Sequence, residues 1–246
     1  MRIGLIADIH GNLIALESVL SELNQEQIDR IICLGDVAAI GPHPHEVLER
    51  LRKLNCPVVM GNTDDWYLKP LPEDDDEWRE IVQWGLQQFT DADLDYLRSF
   101  QPVIEMTLDA DKTLLCYHGS PRSYNDVIAS TTPTVEIKSM FAGYQPSIMV
   151  GGHTHVQMLR RYEQALIINP GSVGLPAVGP GREDLPRNKN VHWAEYAIIT
   201  LHNGQVSVDL RRTPLDIPAI LQAGYASGMP NIDSWILCWH NPDKTI

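Results

Sequence analysis

The chain has 246 residues, of which 43% are hydrophobic and 21% are charged, and its formal net charge is −13 at pH 7. This composition excludes a disordered chain, and at this length we predict a single α/β domain over residues 1–246. No apolar run reaches the ~18 residues that span a bilayer, and the start of the chain lacks the apolar segment of a signal peptide. We therefore expect a cytoplasmic protein without a membrane partner.

The acidic balance also limits the partners. Contacts to phosphates dominate nucleic-acid affinity, so a surface this negative argues against extended nucleic-acid binding. A small phosphorylated substrate remains compatible with it if bound divalent cations supply local positive charge. The four cysteines are widely spaced without a Cys-x-x-Cys motif, and we predict no disulfide between them.

The first 60 residues alternate between strand-like and helical patterns. Strand-like runs cover residues 2–7, 30–35 and 57–60, and helical patterns cover residues 13–23 and 44–54. Asn12 stands at the N-cap position of the first helix, which shows the 3, 4 spacing of a buried apolar stripe. This βαβαβ order predicts parallel strands, with ligands bound beyond their carboxyl ends.

The rest of the chain adds further helices and strands. Helices are predicted near residues 75–89, 91–99 and 133–142, and strands at residues 102–108, 113–118, 147–150, 156–161, 165–168, 194–201 and 205–211. Asn203-Gly204 predicts a tight hairpin turn between the last two strands, and two packed sheets are expected.

Three other segments carry weaker signals. The acidic run "PEDDDEW" at residues 72–78 is typical of a solvated helix start. Residues 174–193 are rich in glycine and proline and predict a long surface loop. The apolar cluster of Trp235, Ile236 and Trp239 predicts a tail that packs back on the domain, with a dimer contact as the alternative.

Metal-competent side chains follow five of the predicted strands. In chain order they are Asp8, His10, Asp36, Asn62, His118, His153 and His155. Residues i and i+2 of an extended strand project to one side, so the pairs Asp8/His10 and His153/His155 are each expected on one face. Each residue alone is more often a turn or core residue, but neighbouring strands would bring all seven to one edge.

In this order, the motifs Asp-x-His, Gly-Asp, Gly-Asn, His and Gly-His-x-His resemble the signature of the calcineurin-like metallophosphoesterases. The runs "GDVAAIGPHPHEV" at residues 35–47 and "NPGSVG" at residues 169–174 also resemble the prokaryotic small phosphoesterase branch of that family. The resemblance covers nearly the whole chain. It implies the α/β metallo-dependent phosphatase fold, a four-layer α/β/β/α sandwich of two mixed sheets flanked by helices.

The resemblance also implies a binuclear hydrolase with two divalent ions, which the mixed donors suggest are Mn, Fe or Zn. It assigns Asp8, His10, Asp36 and His155 to the first ion, and Asp36, Asn62, His118 and His153 to the second. Asp36, Asn62 and His118 are the expected catalytic residues. Two ions would lower the pKa of bound water to roughly 7, so no side-chain nucleophile is needed. Ser120 and Ser172 are therefore expected in turn or cap roles.

One position departs from the family. Many relatives have a histidine after the Gly-Asn motif that helps protonate the leaving oxygen, and this chain has Thr63. Losing a general acid costs about 10²- to 10⁴-fold in rate for a poor leaving group. We therefore predict that phosphodiesters, anhydrides or aryl esters are preferred over alkyl monoesters. His43 and His45 are candidate replacements for the acid, with exposed helix-entry positions as the alternative.

Two further questions stay open at this stage. Arg122, Arg182 and Arg187 are candidate phosphate contacts, with solvated surface arginines as the commoner alternative. A non-catalytic protein-binding scaffold, of the kind seen in the retromer subunit related to this family, is the alternative to an enzyme. The presence of all seven expected ligands favours the enzyme, and the acidic balance disfavours a nuclease. The protein is expected to be a monomer or a homodimer.

Overall fold

The structure is a computed structural model that describes residues 1–69, 76–176 and 190–239. The elements in chain order are β1 (Arg2–Ile6), α1 (Leu13–Gln25), β2 (Arg30–Cys33), α2 (Pro44–Leu54), α3 (Asn62–Asp65), α4 (Asp76–Gln88), α5 (Asp91–Arg98), β3 (Ile104–Asp109), β4 (Lys112–Cys116), α6 (Thr134–Met140), β5 (Ile148–Val150), β6 (Met158–Tyr162), β7 (Ala165–Asn169), β8 (Trp193–His202), β9 (Gln205–Pro214), α7 (Ile217–Ser227) and α8 (Ile232–Trp239).

The predicted helices and strands are confirmed with one exception. Residues 57–60 form no strand, because only Val58 and Val59 make isolated bridges, to Cys33 and Gln101 respectively. Helices α3, α7 and α8 were not predicted. Most of the expected loop at residues 174–193 lies outside the described residues, as does most of the acidic run before α4.

Two mixed sheets form the centre of the fold. The first has the strand order β2-β1-β8-β9, and the second has the order β3-β4-β5-β7-β6. β1 pairs in parallel with β2, and β5 pairs in parallel with β4 and with β7, while the other pairs are antiparallel. The predicted hairpin is confirmed: β8 and β9 are joined by Asn203 and Gly204, both with positive φ.

Alternating apolar residues divide the core into three parts and so build four layers. In β1, Ile3 and Leu5 belong to the core between the two sheets, whereas Ile6 belongs to the core under α1, α2, α5, α7 and α8. In β4, Leu114 faces the inter-sheet core and Leu115 faces a third core beneath α6. The period of two thus lets each sheet bury both faces, as the α/β/β/α sandwich requires.

The C-terminal segment packs back on the domain, as predicted. Trp235, Ile236 and Trp239 of α8 are 5%, 3% and 1% exposed and belong to the core that also contains α1 and β1. The four cysteines are unpaired. In the described ranges, no helix has both the length and the apolar character needed to cross a bilayer.

Candidate metal centre

The seven predicted ligand residues lie at one edge of the two sheets, beyond the carboxyl ends of β1, β2, β4 and β5. Backbone bonds join these ends: the Asp8 amide donates to Gly35 O, and the Gly152 amide donates to His118 O, both at 3.0 Å. The amide of His153 donates to the Asp8 carboxylate at 3.1 Å and 3.2 Å, which links the second sheet to the first. Parallel neighbours therefore bring the strand ends together, as expected.

The backbone that presents these side chains is not extended. Five of the seven residues have left-handed φ, namely Asp8 (53°), His10 (47°), Asp36 (54°), His153 (70°) and His155 (58°). The expectation that each i, i+2 pair projects from one face of a strand is therefore wrong, because β1 and β5 end before these residues. Left-handed backbone costs a non-glycine residue about 1–2 kcal/mol and concentrates at functional sites.

Two motif glycines allow the backbone to pass close to the carboxylates. A Cβ atom on Gly61 would overlap the Oδ1 atom of Asp36, and a Cβ atom on Gly152 would lie 2.8 Å from Oδ2 of Asp8. Any side chain at either position would displace a carboxylate. The glycines that precede Asn62 and His153 in sequence therefore have a steric reason to be there.

One group of metal-competent atoms is formed by Asp8, His10, Asp36 and His155, whose ligand atoms all lie within 4.8 Å of one another. Nε2 of His155 is 3.4 Å from Oδ1 of Asp8, and Nε2 of His10 is 3.6 Å from Oδ2 of Asp36. The two Nε2 atoms of His10 and His155 are 3.1 Å apart. This set is buried except for His155, which is 19% exposed.

A second group is formed by Asp36, His118 and His153 within the same 4.8 Å limit. Nε2 of His118 is 3.4 Å from Oδ1 of Asp36 and 3.0 Å from Oδ1 of Asn62. Asp36 belongs to both groups and turns a different carboxylate oxygen to each. The site therefore consists of two adjoining groups of candidate ligands that share one carboxylate.

The hydrogen bonds of the imidazoles test whether this site fits a cation. Nδ1 faces a backbone carbonyl in three of them: Ala39 O at 3.1 Å for His10, Leu34 O at 2.8 Å for His118, and Leu175 O at 2.7 Å for His155. A nitrogen that faces a carbonyl must donate, so in the neutral ring Nε2 carries a lone pair. Lone pairs of His10 and His155 facing each other at 3.1 Å repel unless a cation or a proton lies between them. The donor set thus fits a metal ion.

The histidines of the site differ in the direction of their pKa shifts. Burial lowers the pKa of His10 to about 4, and burial together with the neighbouring His118 lowers the pKa of His153. Burial also acts against protonation of His118, but the Asp36 and Asp8 carboxylates outweigh it and raise its pKa to about 9. In the absence of a cation, His118 therefore holds a proton that a metal ion would displace.

The two carboxylates are charged at neutral pH. Burial favours the neutral form of Asp8, but His155 and His118 outweigh it and lower the pKa of Asp8. Burial acts the same way on Asp36, where His118, His10 and the amide of Thr63 lower the pKa. The site therefore concentrates negative charge in a buried position, which is the electrostatic condition for holding a cation.

The sequence profile of the calcineurin-like phosphoesterase superfamily domain matches residues 1–204. The chain belongs to this superfamily. It is 30% identical over 203 residues to the uncharacterized protein MJ0912 of Methanocaldococcus jannaschii, which covers 80% of this chain and 81% of that one. It is 26% identical over 189 residues to phosphodiesterase YfcE of Escherichia coli strain K12, covering 73% and 83% of the two chains.

A solved member of the superfamily has the same fold. The crystal structure of a metallophosphoesterase from Sphaerobacter thermophilus superimposes with a TM-score of 0.75 at 28% identity, over 97% of this chain and 98% of that chain. Two mixed sheets flanked by helices are therefore shared over almost the full described length. The His/Asp cluster occupies the edge of this calcineurin-like fold at which the strands end.

Sequence reasoning missed one residue of this site. Asp64 is fully buried, and its carboxylate accepts the backbone amides of Asp36 (2.8 Å), Val37 (2.8 Å) and Gly61 (3.1 Å). It therefore ties the loop after β2 to the start of α3. An acidic residue in the first turn of a helix is a recognisable signal, but α3 has only four residues and gave no helical periodicity.

The candidate replacements for a general acid lie elsewhere. His45 pairs with Asp93 of α5 at 2.8 Å, and neither it nor His43 lines the cavity at the centre. Arg122 is engaged with Asp126 at 2.7 Å, also away from that cavity. Both arginines of the 177–189 segment, Arg182 and Arg187, lie outside the described residues.

Three polar residues near the site have structural partners, as expected. The Oδ1 atom of Asn12 accepts the Ala15 amide as the N-cap of α1. The hydroxyl of Ser172 donates to Asp8 O at 2.7 Å, and that of Ser120 donates to Asp126 at 2.6 Å. These hydroxyls hold turns, and neither is bonded to a histidine among the described residues, so neither has the serine–histidine pairing of an activated nucleophile.

A cavity of 330 Å³ opens at the metal centre. His10, Asp36, Asn62, His153 and His155 form one end of it, and mainly apolar side chains from α4, from α8 and from the loops beside them form the rest. The volume falls at the lower end of the range for small-molecule sites. The described part of this calcineurin-like domain thus joins its candidate ligands to a space that a small substrate fits.

Proposed function

We propose that the protein is a hydrolase of small phosphoesters that binds two divalent metal ions. The observation that carries the proposal is the pair of ligand groups that share Asp36 at the end of one cavity. Two ions that share a carboxylate lie about 3.5–4 Å apart, a spacing that suits the oxygens of an in-line displacement at phosphorus. Membership of the phosphoesterase superfamily and the phosphodiesterase names of its relatives support the same reaction class.

Each ion has a proposed set of holders. Asp8, His10, Asp36 and His155 would hold one ion, and Asp36, Asn62, His118 and His153 would hold the other. This mixture of imidazole, carboxylate and amide suits Mn, Fe or Zn better than the all-oxygen cages of Mg or Ca. When bound, the ions supply positive charge for the phosphate and acidify the attacking water.

Hydrogen bonds within the chain orient the proposed metal ligands and a donor for the phosphate. Bonds from Nδ1 to backbone carbonyls hold the rings of His10, His118 and His155 with Nε2 toward the centre. Asn62 lines the cavity with Oδ1 toward His118, which leaves its amide N–H₂ to donate to a phosphate oxygen. We assign Asp36, Asn62 and His118 as the catalytic residues. Asp36 is the ligand common to both ions, Asn62 is a ligand that also lines the cavity, and His118 is a fully buried ligand of the second ion beside Asn62.

The cavity lining supports a preference for esters with good leaving groups. Thr63 is 3% exposed, donates its amide to Asp36 at 2.9 Å and lines the cavity, but its hydroxyl does not lose a proton near pH 7. Every histidine among the described lining residues is also a proposed ligand. A leaving group must therefore depart with little protonation, which favours phosphodiesters, anhydrides and aryl esters over alkyl monoesters.

The test combines metal analysis with a substrate panel. Protein purified without chelator should contain transition metal, and with added Mn²⁺ it should hydrolyse bis(p-nitrophenyl) phosphate faster than an alkyl monophosphate. Asp36→Asn should lower kcat/KM by at least about 10³-fold, because it removes the ligand common to both groups. Asp95→Asn, at a position 77% exposed on α5, is the matched control and should leave kcat/KM unchanged.

Two results contradict the proposal. Unchanged hydrolysis in Asp36→Asn excludes this site as the active site, and faster turnover of the alkyl monoester excludes the leaving-group preference. The scaffold alternative predicts metal binding without hydrolysis of any ester in the panel. The net charge of −13 supports a small substrate over extended nucleic acid.

A further inference from the structure

Beyond the candidate metal ligands, the cavity is lined mainly by apolar side chains, which offer no charge to a phosphate group. We call this the apolar wall, and its members are Trp66, Trp78, Ile81, Leu175, Met229 and Trp235. The rings of Trp66 and Trp78 are 5.3 Å apart between centroids and tilted by 41°. Aromatic and aliphatic surfaces of this kind bind organic groups, so the wall implies that the substrate has an organic part beside its phosphorus.

Three buried polar atoms of the cavity lining have no partner. They are Oγ1 of Thr63, Nδ2 of Asn190 and Nε1 of Trp235, on residues 3%, 7% and 5% exposed. None of them meets a hydrogen-bonding group within the described ranges. Because a buried donor without a partner is costly, these atoms point to a ligand that accepts hydrogen bonds.

The packing of Trp235 shows which edge of its ring faces α7. A Cβ atom on Gly224 of α7 would lie 2.8 Å from Cζ3 of Trp235, so the six-membered ring presses against α7 there. Nε1 lies on the opposite side of the indole from Cζ3. The N–H edge therefore faces away from α7.

Charge excludes one class of organic group. Apart from the candidate metal ligands, none of the described lining residues has a formally charged side chain. A charged organic group would lose hydration in the cavity without gaining an ion pair from any of the described wall residues. The group that fits the wall is therefore uncharged.

We propose that the apolar wall binds the organic group of the phosphoester, and that this group is an uncharged planar aromatic ring system with hydrogen-bond acceptors, the chemistry of a nucleobase. The inference rests on the proposed function, since the metal centre must hold the phosphate. The tryptophans and aliphatic side chains of the wall contact the ring faces. Nε1 of Trp235 and Nδ2 of Asn190 donate to acceptors at the ring edge.

Calorimetric titration of the Mn²⁺-loaded protein tests the wall without relying on turnover. Methylphosphonate and phenylphosphonate have the same phosphorus group, and their C–P bonds resist hydrolysis. Phenylphosphonate should bind about tenfold more tightly, because only its ring reaches the apolar surface. Thymidine 5′-phosphate should bind more tightly still. Equal affinities for the two phosphonates would overturn the proposal.

Two tryptophans of α8 provide a matched pair of variants for the donor. Trp235→Phe removes the Nε1 hydrogen and keeps an aromatic ring, and it should weaken thymidine 5′-phosphate about 5- to 10-fold while phenylphosphonate stays within about twofold. Trp239 also has a buried Nε1 atom without a described partner, but it does not line the cavity. Trp239→Phe should therefore leave both affinities unchanged.

Asn190→Leu is a second variant of the same contact, with the same expected loss for the nucleotide. If neither Trp235→Phe nor Asn190→Leu weakens the nucleotide, or if Trp239→Phe weakens it equally, the assigned donors are wrong. If the protein hydrolyses bis(p-nitrophenyl) phosphate but binds the two phosphonates equally, the inference about the apolar wall is wrong and the proposed function stands. A phenylphosphonate preference without hydrolysis of any ester defeats the proposed function and leaves the binding site in place.

Discussion

Asp64 controls the position of a ligand residue without itself facing the cavity. Its two carboxylate oxygens accept three backbone amides, from Asp36, Val37 and Gly61. Only a carboxylate offers enough acceptors for three donors without presenting a hydrogen of its own. The carboxylate oxygens of Asp64 therefore hold the loop that presents Asp36, the proposed shared ligand, and burial together with the neighbouring Asp36 raises the pKa of Asp64 to about 7.

Asp64→Asn tests this positioning role. The asparagine side chain would place its own N–H₂ donor against a backbone amide that now donates to the carboxylate. We therefore expect a loss of about 1–3 kcal/mol in the free energy of unfolding. We also expect about 10- to 100-fold weaker Mn²⁺ binding, because Asp36 loses its support. Urea unfolding and metal titration measure the two effects.

Asp65→Asn is the matched control, since Asp65 is the next residue and its one ion pair within the described ranges is with the exposed Lys69 at 2.8 Å. It should change the unfolding free energy by less than about 1 kcal/mol. Equal losses in the two variants would show that general helix electrostatics, and not the three amide bonds, explain the effect.

At the level of single residues, the sequence predicts which side chains meet but not how the backbone presents them. The strand ends of β1, β2, β4 and β5 are visible as apolar runs that stop at polar residues. The left-handed conformations of His10 and His153 arise from tertiary bonds, such as the His10 amide to Asp36 O at 2.9 Å. Such bonds depend on residues far apart in the chain, so local patterns do not reveal them.

Between helices α2 and α5, a buried carboxylate organises the contact. Asp93 has a side chain that is 0% exposed, and it accepts from the amide and the hydroxyl of Thr90 and pairs with His45 at 2.8 Å. Arg52 lies 3.5 Å from its other oxygen. His45, which was a candidate acid from the sequence, therefore joins α2 to α5.

The pH dependence of stability tests this contact. Burial raises the pKa of Asp93, but the bonds from Thr90 and His45 outweigh it, and the net shift is downward. A lowered pKa gives stability that is present above the unfolded pKa of ~3.9 and is lost as pH falls through the folded pKa. Asp93→Asn should therefore cost about 1–3 kcal/mol at pH 7, and the difference from wild type should shrink below about pH 4.

Urea unfolding at pH 7, 5 and 3.5 measures the difference, with Asp95→Asn on the same helix as the control. In the part of the chain that the structure describes, Asp95 forms an ion pair with its neighbour Arg98 alone, and both side chains are more than half exposed. If the loss of unfolding free energy in Asp93→Asn stays constant over the whole pH range, the shape of the Asp93 side chain and not its charge stabilises the contact.

Elements without strong periodicity are the ones that sequence reasoning missed. Helix α7 had signals at its ends: Asp216 caps the Ala219 amide, Pro218 lies in the first turn, and Gly228 ends the helix in the left-handed conformation. Helix α3 is a single turn, and it exists because Asp64 and the Gly61 turn are bonded to the loop after β2. Helix α7 could therefore have been predicted from its capping residues, whereas helix α3 could not.

For the whole molecule, the acidic surface and the metal centre act in opposite directions on a phosphorylated substrate. A net charge of −13 repels anions at long range, but salt screens this repulsion beyond about 8 Å at physiological ionic strength. Two dications would outweigh the charges of Asp8 and Asp36 inside the cavity. Under the proposed function, we expect this balance to favour small phosphoesters, which fit the cavity, over long polyanions.

Metal binding should also set the stability of the whole fold. Without a cation, the Asp8 carboxylate lies beside that of Asp36, and Nε2 of His10 faces Nε2 of His155 at 3.1 Å. A ligand that relieves these contacts and binds only the folded state stabilises it by mass action. At free Mn²⁺ about 100-fold above Kd the gain is about 2.7 kcal/mol, which corresponds to a Tm increase of roughly 5–10 °C for a chain of this size.

Thermal unfolding with EDTA and with Mn²⁺ measures this increase, and Asp36→Asn should abolish most of it because both ligand groups lose their common member. Ca²⁺ at the same concentration is the control ion, since it prefers all-oxygen cages and should raise Tm much less. A wild-type Tm that is identical in EDTA and in Mn²⁺ would mean that the site closes without a cation, held by the proton on His118. A two-metal centre would then have no thermodynamic support.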